Sequence, residues 1–287
     1  MFLYRVMARL SRVLGLWTLR VLGAVVSAGY FVLLPKRRAN SIEFYQTLFP
    51  DEPKRRALIR TWHQYQDFAR VYSERLEIER RTDIVFERVG EEYLGEARKG
   101  GRGVIVVMSH FGRWEIGARL LARRHEGVTL VMGGQAQGGA RAGVDRDLRG
   151  VGLDVVTVPE GQGQAFDILE ALKVLREGGI VSLAADRAFG DARVLRMPFL
   201  GRWVGVPAAP FALALSSGAP LLVVFAVRLG VRHYRFISEP PLALAAANRG
   251  ERQSAMERAA AHYLDRLQAM VKAHSEQWQT FERFFVD

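Results

Sequence analysis

The sequence predicts an α/β protein with a mostly parallel central sheet flanked by helices, preceded by an N-terminal membrane-associated helix. Three features carry that expectation. From about residue 83 onward, short apolar runs alternate with amphipathic stretches, the pattern of strands joined by crossover helices. Polar clusters fall where two of those runs stop, and ligands of open parallel sheets bind outside the carboxyl ends of the strands. Ahead of the alternation lies VLGLWTLRVLGAVVSAGYFVLL, residues 13–34, apolar apart from Arg20 and a few small polar residues. Its length is close to the ~20 residues that cover a bilayer core.

Basic residues flank this segment on both sides, Arg5, Arg9 and Arg12 before it and Lys36, Arg37 and Arg38 after it. Flanks of one sign do not fix an orientation. They suit a helix lying along the cytoplasmic leaflet, with Arg20 snorkelling to the interface, as well as a spanning one. A signal peptide cleaved after VSA fits less well, because Arg20 interrupts the apolar stretch and the run continues past the cleavage point. The chain thus divides into a membrane-anchoring segment, 1–38, and one folded domain, 39–287.

The elements of that domain follow from periodicity. Residues 40–80 read as helices, with Leu58, Trp62, Tyr65, Phe68, Ala69 and Tyr72 at intervals of three and four and Asp51 as a cap ahead of Pro53. IVFERV is a strand, GEEYLGEARKGG a short helix, GVIVVMS a buried strand, residues 115–124 a helix and VTLVMG a strand. A glycine-rich loop, Gly133 to Gly143, leads to a short helix around DRDLRGVG. The strand DVVTVP, the helix AFDILEALKVLREGG and the strand IVSLAAD come next, then a loop to Pro198. A helix at 208–217, the strands PLLVVFAVRL and HYRFISEPPL, and a long helix bearing Tyr263, Leu267, Met270 and Val271 complete the reading.

Composition removes several functional classes. The 287 residues contain no cysteine, which excludes disulfides and thiolate metal sites. Histidines 63, 125, 233, 262 and 274 show no metal-ligand spacing, so no metal is expected and these five read as structural. There is no P-loop, GGRGVI lacks the last glycine of a dinucleotide fingerprint, and no cofactor is expected. A net charge of +11 fits nucleic acid or an anionic membrane surface. The apolar N-terminal segment makes the membrane the more economical partner, and no nucleic acid is expected.

The chemistry concentrates in SHFGRWE and ADRAFG, the polar clusters after the strands at 104–108 and 180–184. His110 and Glu115 are five residues apart. On one helix they would stand roughly 140° apart, so they can meet only if His110 lies in the turn and Glu115 in the first turn of the helix. Gly112 permits such a turn. A carboxylate at one imidazole nitrogen fixes the tautomer and raises the basicity of the other, which is the arrangement of an oriented general base. No Gly-x-Ser-x-Gly elbow accompanies it, so the nucleophile should be a substrate hydroxyl.

The segment HFGRWE after an apolar strand resembles the signature of glycerolipid and lipid A acyltransferases, more narrowly the bacterial lipid A late acyltransferases and the mycobacterial mannoside acyltransferases. His110, Phe111, Gly112, Trp114 and Glu115 match, while Arg113 replaces an asparagine. EFYQTLFP, LREGGIVSLAADRAFG and MPFLGRWVGVPAAPFALALSSGAPLLVVF extend the likeness over most of the chain. The resemblance implies a histidine that deprotonates a lipid hydroxyl, which attacks the thioester of an acyl carrier protein or acyl-CoA donor. His110 and Glu115 would be catalytic, and Arg113, Arg149, Asp186 and Arg187 would bind substrate, with Arg146 competing for the role of Arg149. The acceptor would be a lipid A-like glycolipid and the site would face the cytoplasm at the inner membrane. A non-catalytic lipid-binding or envelope assembly protein on the same fold stands as the alternative. Phe111, Trp114, Phe199 and Trp203 are expected to line an acyl groove running from His110 towards the N-terminal segment, with Arg187 or Arg149 near its mouth.

Overall fold

The computed structural model describes residues 15, 17–80, 83–125, 127–133, 148–150, 153–158, 164–188, 190 and 192–286. Arg5, Arg9, Arg12, Arg146 and the glycine-rich loop beyond Gly133 lie outside the described residues. Among the described residues three helices come first: α1 (Trp17–Leu33), α2 (Pro35–Leu48) and α3 (Lys54–Arg80). The alternating part runs β1 (Val85–Val89), α4 (Glu92–Arg98), β2 (Val104–Met108), α5 (Trp114–Arg124), β3 (Val128–Gly133), β4 (Asp154–Val158), α6 (Gln164–Arg176) and β5 (Ile180–Ala184). Then come β6 (Val194–Phe199), β7 (Arg202–Pro207), α7 (Ala209–Ser217), β8 (Leu221–Gly230), β9 (His233–Ser238) and α8 (Glu251–Ala273).

Seven strands form one sheet in the order β1-β9-β8-β2-β5-β3-β4. The five from β8 to β4 are parallel; β9 runs antiparallel to β8, and β1 is parallel to β9. The α/β expectation of a mostly parallel sheet therefore holds. Every residue of β2 is buried, because helices cover both faces, and this is why VIVVM reads as an unbroken apolar run. Its side chains still alternate. Ile105 and Val107 enter the larger core cluster with Tyr263, Leu267 and Val271 of α8, while Val104, Val106 and Met108 enter a second one with residues of α4 and α5.

One correction concerns the segment taken as a loop to Pro198. It is a hairpin, β6 and β7, closed by Leu200 and Gly201 at φ 53° and 76°. Two successive left-handed residues make the tight turn whose twist matches paired strands. Burial alternates strictly along β6, with Leu195, Met197 and Phe199 inward, but Pro198 and a leucine in the turn mask the pattern in the sequence.

The N-terminal helices pack on the domain. Ser27 Oγ donates to the Tyr65 carbonyl at 2.6 Å, and Arg20 Nη2 donates to Glu77 Oε2 at 2.6 Å. Arg20 is thus held by an acidic partner on α3, where snorkelling was expected. The other side of α1 leaves Trp17, Val21, Val25 and Val32 exposed. The chain bends by 91° between α1 and α2. Among the described residues no single helix is long and apolar enough to cross a membrane, and only this bent pair passes that test together.

Candidate active site

Met108 and Ala184 end neighbouring parallel strands in register, and Ala185 N donates to the Met108 carbonyl at 2.9 Å. The two polar clusters therefore leave the sheet side by side. Asp186 is buried and grips His110 twice. Its Oδ2 accepts the His110 backbone N–H at 2.9 Å and its Oδ1 meets the ring Nδ1 at 2.8 Å. A carboxylate only accepts, so Nδ1 carries the proton, and in the neutral ring Nε2 presents its lone pair. Nε2 has no hydrogen-bond partner among the described residues. The His110 side chain is 23% exposed, so that lone pair is within reach of a substrate.

Burial opposes ionisation of Asp186. The charge of His110, its hydrogen bond, the Arg187 charge and a hydrogen bond from Trp278 outweigh it and hold the carboxyl below the ordinary aspartate range. The Trp278 bond, Nε1 to Oδ2 at 3.0 Å, brings in the C-terminal segment. That segment also clamps the turn. Gln279 N donates to the His110 carbonyl at 2.9 Å, and Gly112 N to the Gln277 carbonyl at 2.8 Å. Gly112 sits at φ 63°, and a Cβ there would lie 1.9 Å from the Ala226 carbonyl oxygen. Only glycine lets the turn pass this close to β8.

The carboxylate at the imidazole is Asp186, where the sequence pointed to Glu115. Glu115 occupies the first turn of α5 as expected, but its Oε2 lies 3.6 Å from Arg75 Nη1 on α3. Arg113 departs from the substrate-binding expectation too. It is fully buried, with Nε on Glu74 at 2.5 Å and Nη1 and Nη2 on Asp67 at 2.8 and 3.1 Å. Burial disfavours its charge, but Asp67 and Glu74 overcome that penalty and raise its pKa. A guanidinium so engaged has no face left for a ligand. Arg187 flanks Asp186 and carries a buried Nη2 that has no hydrogen-bond partner among the described residues. Arg149 is exposed and bonds the Val155 carbonyl at the far edge of the sheet.

A cavity of about 420 Å³ opens between the sheet and helices α4 and α5, within the size range of small-molecule sites. Its walls are largely apolar, and Ser109, Phe111 and Trp114 bring it to the neighbours of His110. The Trp114 indole stands edge-on to the imidazole, ring centres 6.0 Å apart. Other parts of the groove expectation fail. Among the described residues none of α1, α2 or α3 lines the cavity, and its arginines are Arg88, Arg98 and Arg124. Phe199 is buried against Trp278 and Phe284, and Trp203 lies under Arg196 on the surface of the hairpin. The sequence reading missed Trp278 and the two flanking glutamines; their only signal was an aromatic cluster, EQWQTFERFF, after the last helix.

Comparison with known proteins identifies relatives and a family. Two phosphatidylinositol mannoside acyltransferases of Mycobacterium tuberculosis, strains ATCC 25618 / H37Rv and CDC 1551 / Oshkosh, are each 26% identical to the chain over 133 residues. That similarity covers 46% of this chain and 41% of the relatives, so the chain spans less than half the length of the curated relatives it matches. The family described as bacterial lipid A biosynthesis acyltransferase matches residues 2–286, from before α1 to the end of the clamp at the His110 turn. With strand-end histidine, buried aspartate and C-terminal clamp all inside that match, the chain belongs to the bacterial lipid A biosynthesis acyltransferase family.

Proposed function

We propose that the protein is a membrane-associated O-acyltransferase that moves a fatty acyl chain from a thioester to a hydroxyl of a glycolipid. The observation that carries the reading is the His110–Asp186 pair, with the proton held on Nδ1 and Nε2 left without a protein partner. Nε2 takes the proton of the acceptor hydroxyl as its oxygen attacks the thioester carbonyl. A carbon–oxygen bond forms and negative charge moves to the carbonyl oxygen. As the intermediate collapses, the carbon–sulfur bond breaks and the imidazolium returns its proton to the leaving thiolate. Asp186 holds the ring in one tautomer and steadies its charge, without itself taking the proton. The charge of Arg187 beside Asp186 suits either the developing oxyanion or a phosphate of the substrate.

The apolar cavity beside Phe111 and Trp114 suits the acyl chain. The donor is acyl carrier protein or acyl-CoA; both carry a flexible phosphopantetheine arm, and a cytoplasmic donor favours a site facing the cytoplasm at the inner membrane. The exposed apolar side of α1, followed by Lys36, Arg37 and Arg38, supports attachment to an anionic leaflet. Membership of the lipid A family and the mannoside acyltransferase names of the mycobacterial relatives both favour a glycolipid acceptor. Purified protein offered both donors and a panel of glycolipids should yield a lipid heavier by one fatty acid less water. No such product with any donor and acceptor would refute the reading.

A further inference from the structure

We infer that Arg113 is a positioning residue, locking the His110 turn to α3 through Asp67 and Glu74. This rests on the role of His110 proposed above. Asp67, Glu74 and Glu77 fall seven and three residues apart, on one face of α3. That face is turned inward, and Asp67, Glu74 and Glu77 are all buried. Arg113 stands between the first two. Its planar fork takes both oxygens of Asp67 while Nε takes Glu74. Arg228 of β8 approaches the other oxygen of Glu74, Nε to Oε1 at 2.7 Å. Arg113 and Arg228 thus face Asp67 and Glu74, while Glu77 pairs with Arg20 and Arg232.

The position of Arg113 gives the cluster its consequence. It is the last residue before α5, three residues after His110, and its backbone N donates to the Ala226 carbonyl at 2.6 Å. Gly112 cannot yield towards β8, because the Ala226 carbonyl already fills the space of a Cβ. The turn is held at His110 by Asp186, at its middle by Gln277 and Gln279, and at its end by the guanidinium. Removing the last anchor frees the segment that sets the angle of the imidazole against Asp186. Asparagine, the residue this position resembles in the motif, is too short and uncharged to reach two carboxylates on a separate helix.

Arg113→Lys tests the inference, since an ammonium keeps the charge but cannot span Asp67 and Glu74 in the same geometry. The folded variant should lose about 10- to 100-fold in kcat, the scale of a small misplacement of a reacting group. KM for the acyl donor should not change. The far-downfield proton resonance of the His110 Nδ1–H bonded to Asp186, identified by its loss in His110→Ala, should broaden or vanish. Asp67→Asn, which leaves the Glu74 bond intact, should show the same changes to a lesser degree. Wild-type kcat and resonance in either folded variant would overturn the inference. Failure of both to fold would overturn it too, leaving Arg113 a purely structural residue. If wild-type protein transfers no acyl group from either donor, the proposed reaction fails while the resonance still decides the role of Arg113.

Discussion

At the scale of single residues, Asp186 and Glu115 divide what the motif alone suggested for one of them. Both are acidic and both lie near the strand ends, but only Asp186 meets the imidazole, while Glu115 faces Arg75. Asp186→Asn should therefore lower acyl transfer by about 10²-fold or more, on the scale of a disabled base, with Glu115→Gln losing clearly less. Rates of the two purified variants at saturating donor would check the ranking. A second consequence concerns acid. The folded-state pKa of Asp186 is depressed, so the unfolded chain binds the extra proton as pH falls through the ordinary aspartate value of about 3.9. The stabilisation by Asp186 is full above that value and declines below it. Denaturant unfolding should show Asp186→Asn less stable than wild type at neutral pH, with the gap shrinking below pH ~4. His110 was legible in the sequence because a histidine at a strand end followed by glycine is conspicuous. The partnership with Asp186 was not, because 76 residues separate the two and only the parallel pairing of β2 with β5 brings them together. Arg113 misled for a related reason: a charged residue in a motif suggests a ligand, and its buried carboxylates sit on a helix about 40 residues earlier.

At the scale of elements, the strands and helices of the sheet were readable because each pairs a buried apolar pattern with a clear stop. The β6–β7 hairpin was hidden by Pro198 and by a leucine in the left-handed turn. Two glycines separate conformational strain from contact. At Gly201 no atom lies within 4 Å of an added Cβ, so Gly201→Ala should cost only the left-handed backbone penalty, about 1–2 kcal/mol. At Gly112 the same penalty joins a collision with the Ala226 carbonyl, and Gly112→Ala should cost about 2–5 kcal/mol and displace His110. Thermal unfolding of the two variants measures the contrast. Helix α4 offers a separate test of the cavity. Gly95 lines it, and nothing lies within 4 Å of its added Cβ. Gly95→Leu should shift kcat/KM towards shorter acyl donors without disturbing His110. An unchanged chain-length profile would argue against the cavity as the acyl site.

At the scale of the whole molecule, the charge of +11 and the apolar N-terminal stretch both suit the membrane attachment proposed above. The sequence announced that stretch but not its packing, since Ser27 and Arg20 look like minor interruptions until Tyr65 and Glu77 of α3 are beside them. The exposed side of α1 should carry the attachment to the membrane. Val21→Glu/Val25→Glu should fold normally and bind anionic vesicles roughly 10-fold or more weakly, each valine's burial being worth about 1.5–3 kcal/mol. Sedimentation with vesicles would read that loss. The central claim is narrower, the proposal that Nε2 of His110, its ring held by Asp186, is the base that activates a lipid hydroxyl. It is tested most directly by the single-turnover rate of acyl transfer in His110→Ala at saturating donor, compared with wild type under the same conditions. A correctly folded variant that still binds vesicles and donor but transfers the acyl group about 10²-fold or more slowly is the expected result, and transfer at the wild-type rate would contradict the account.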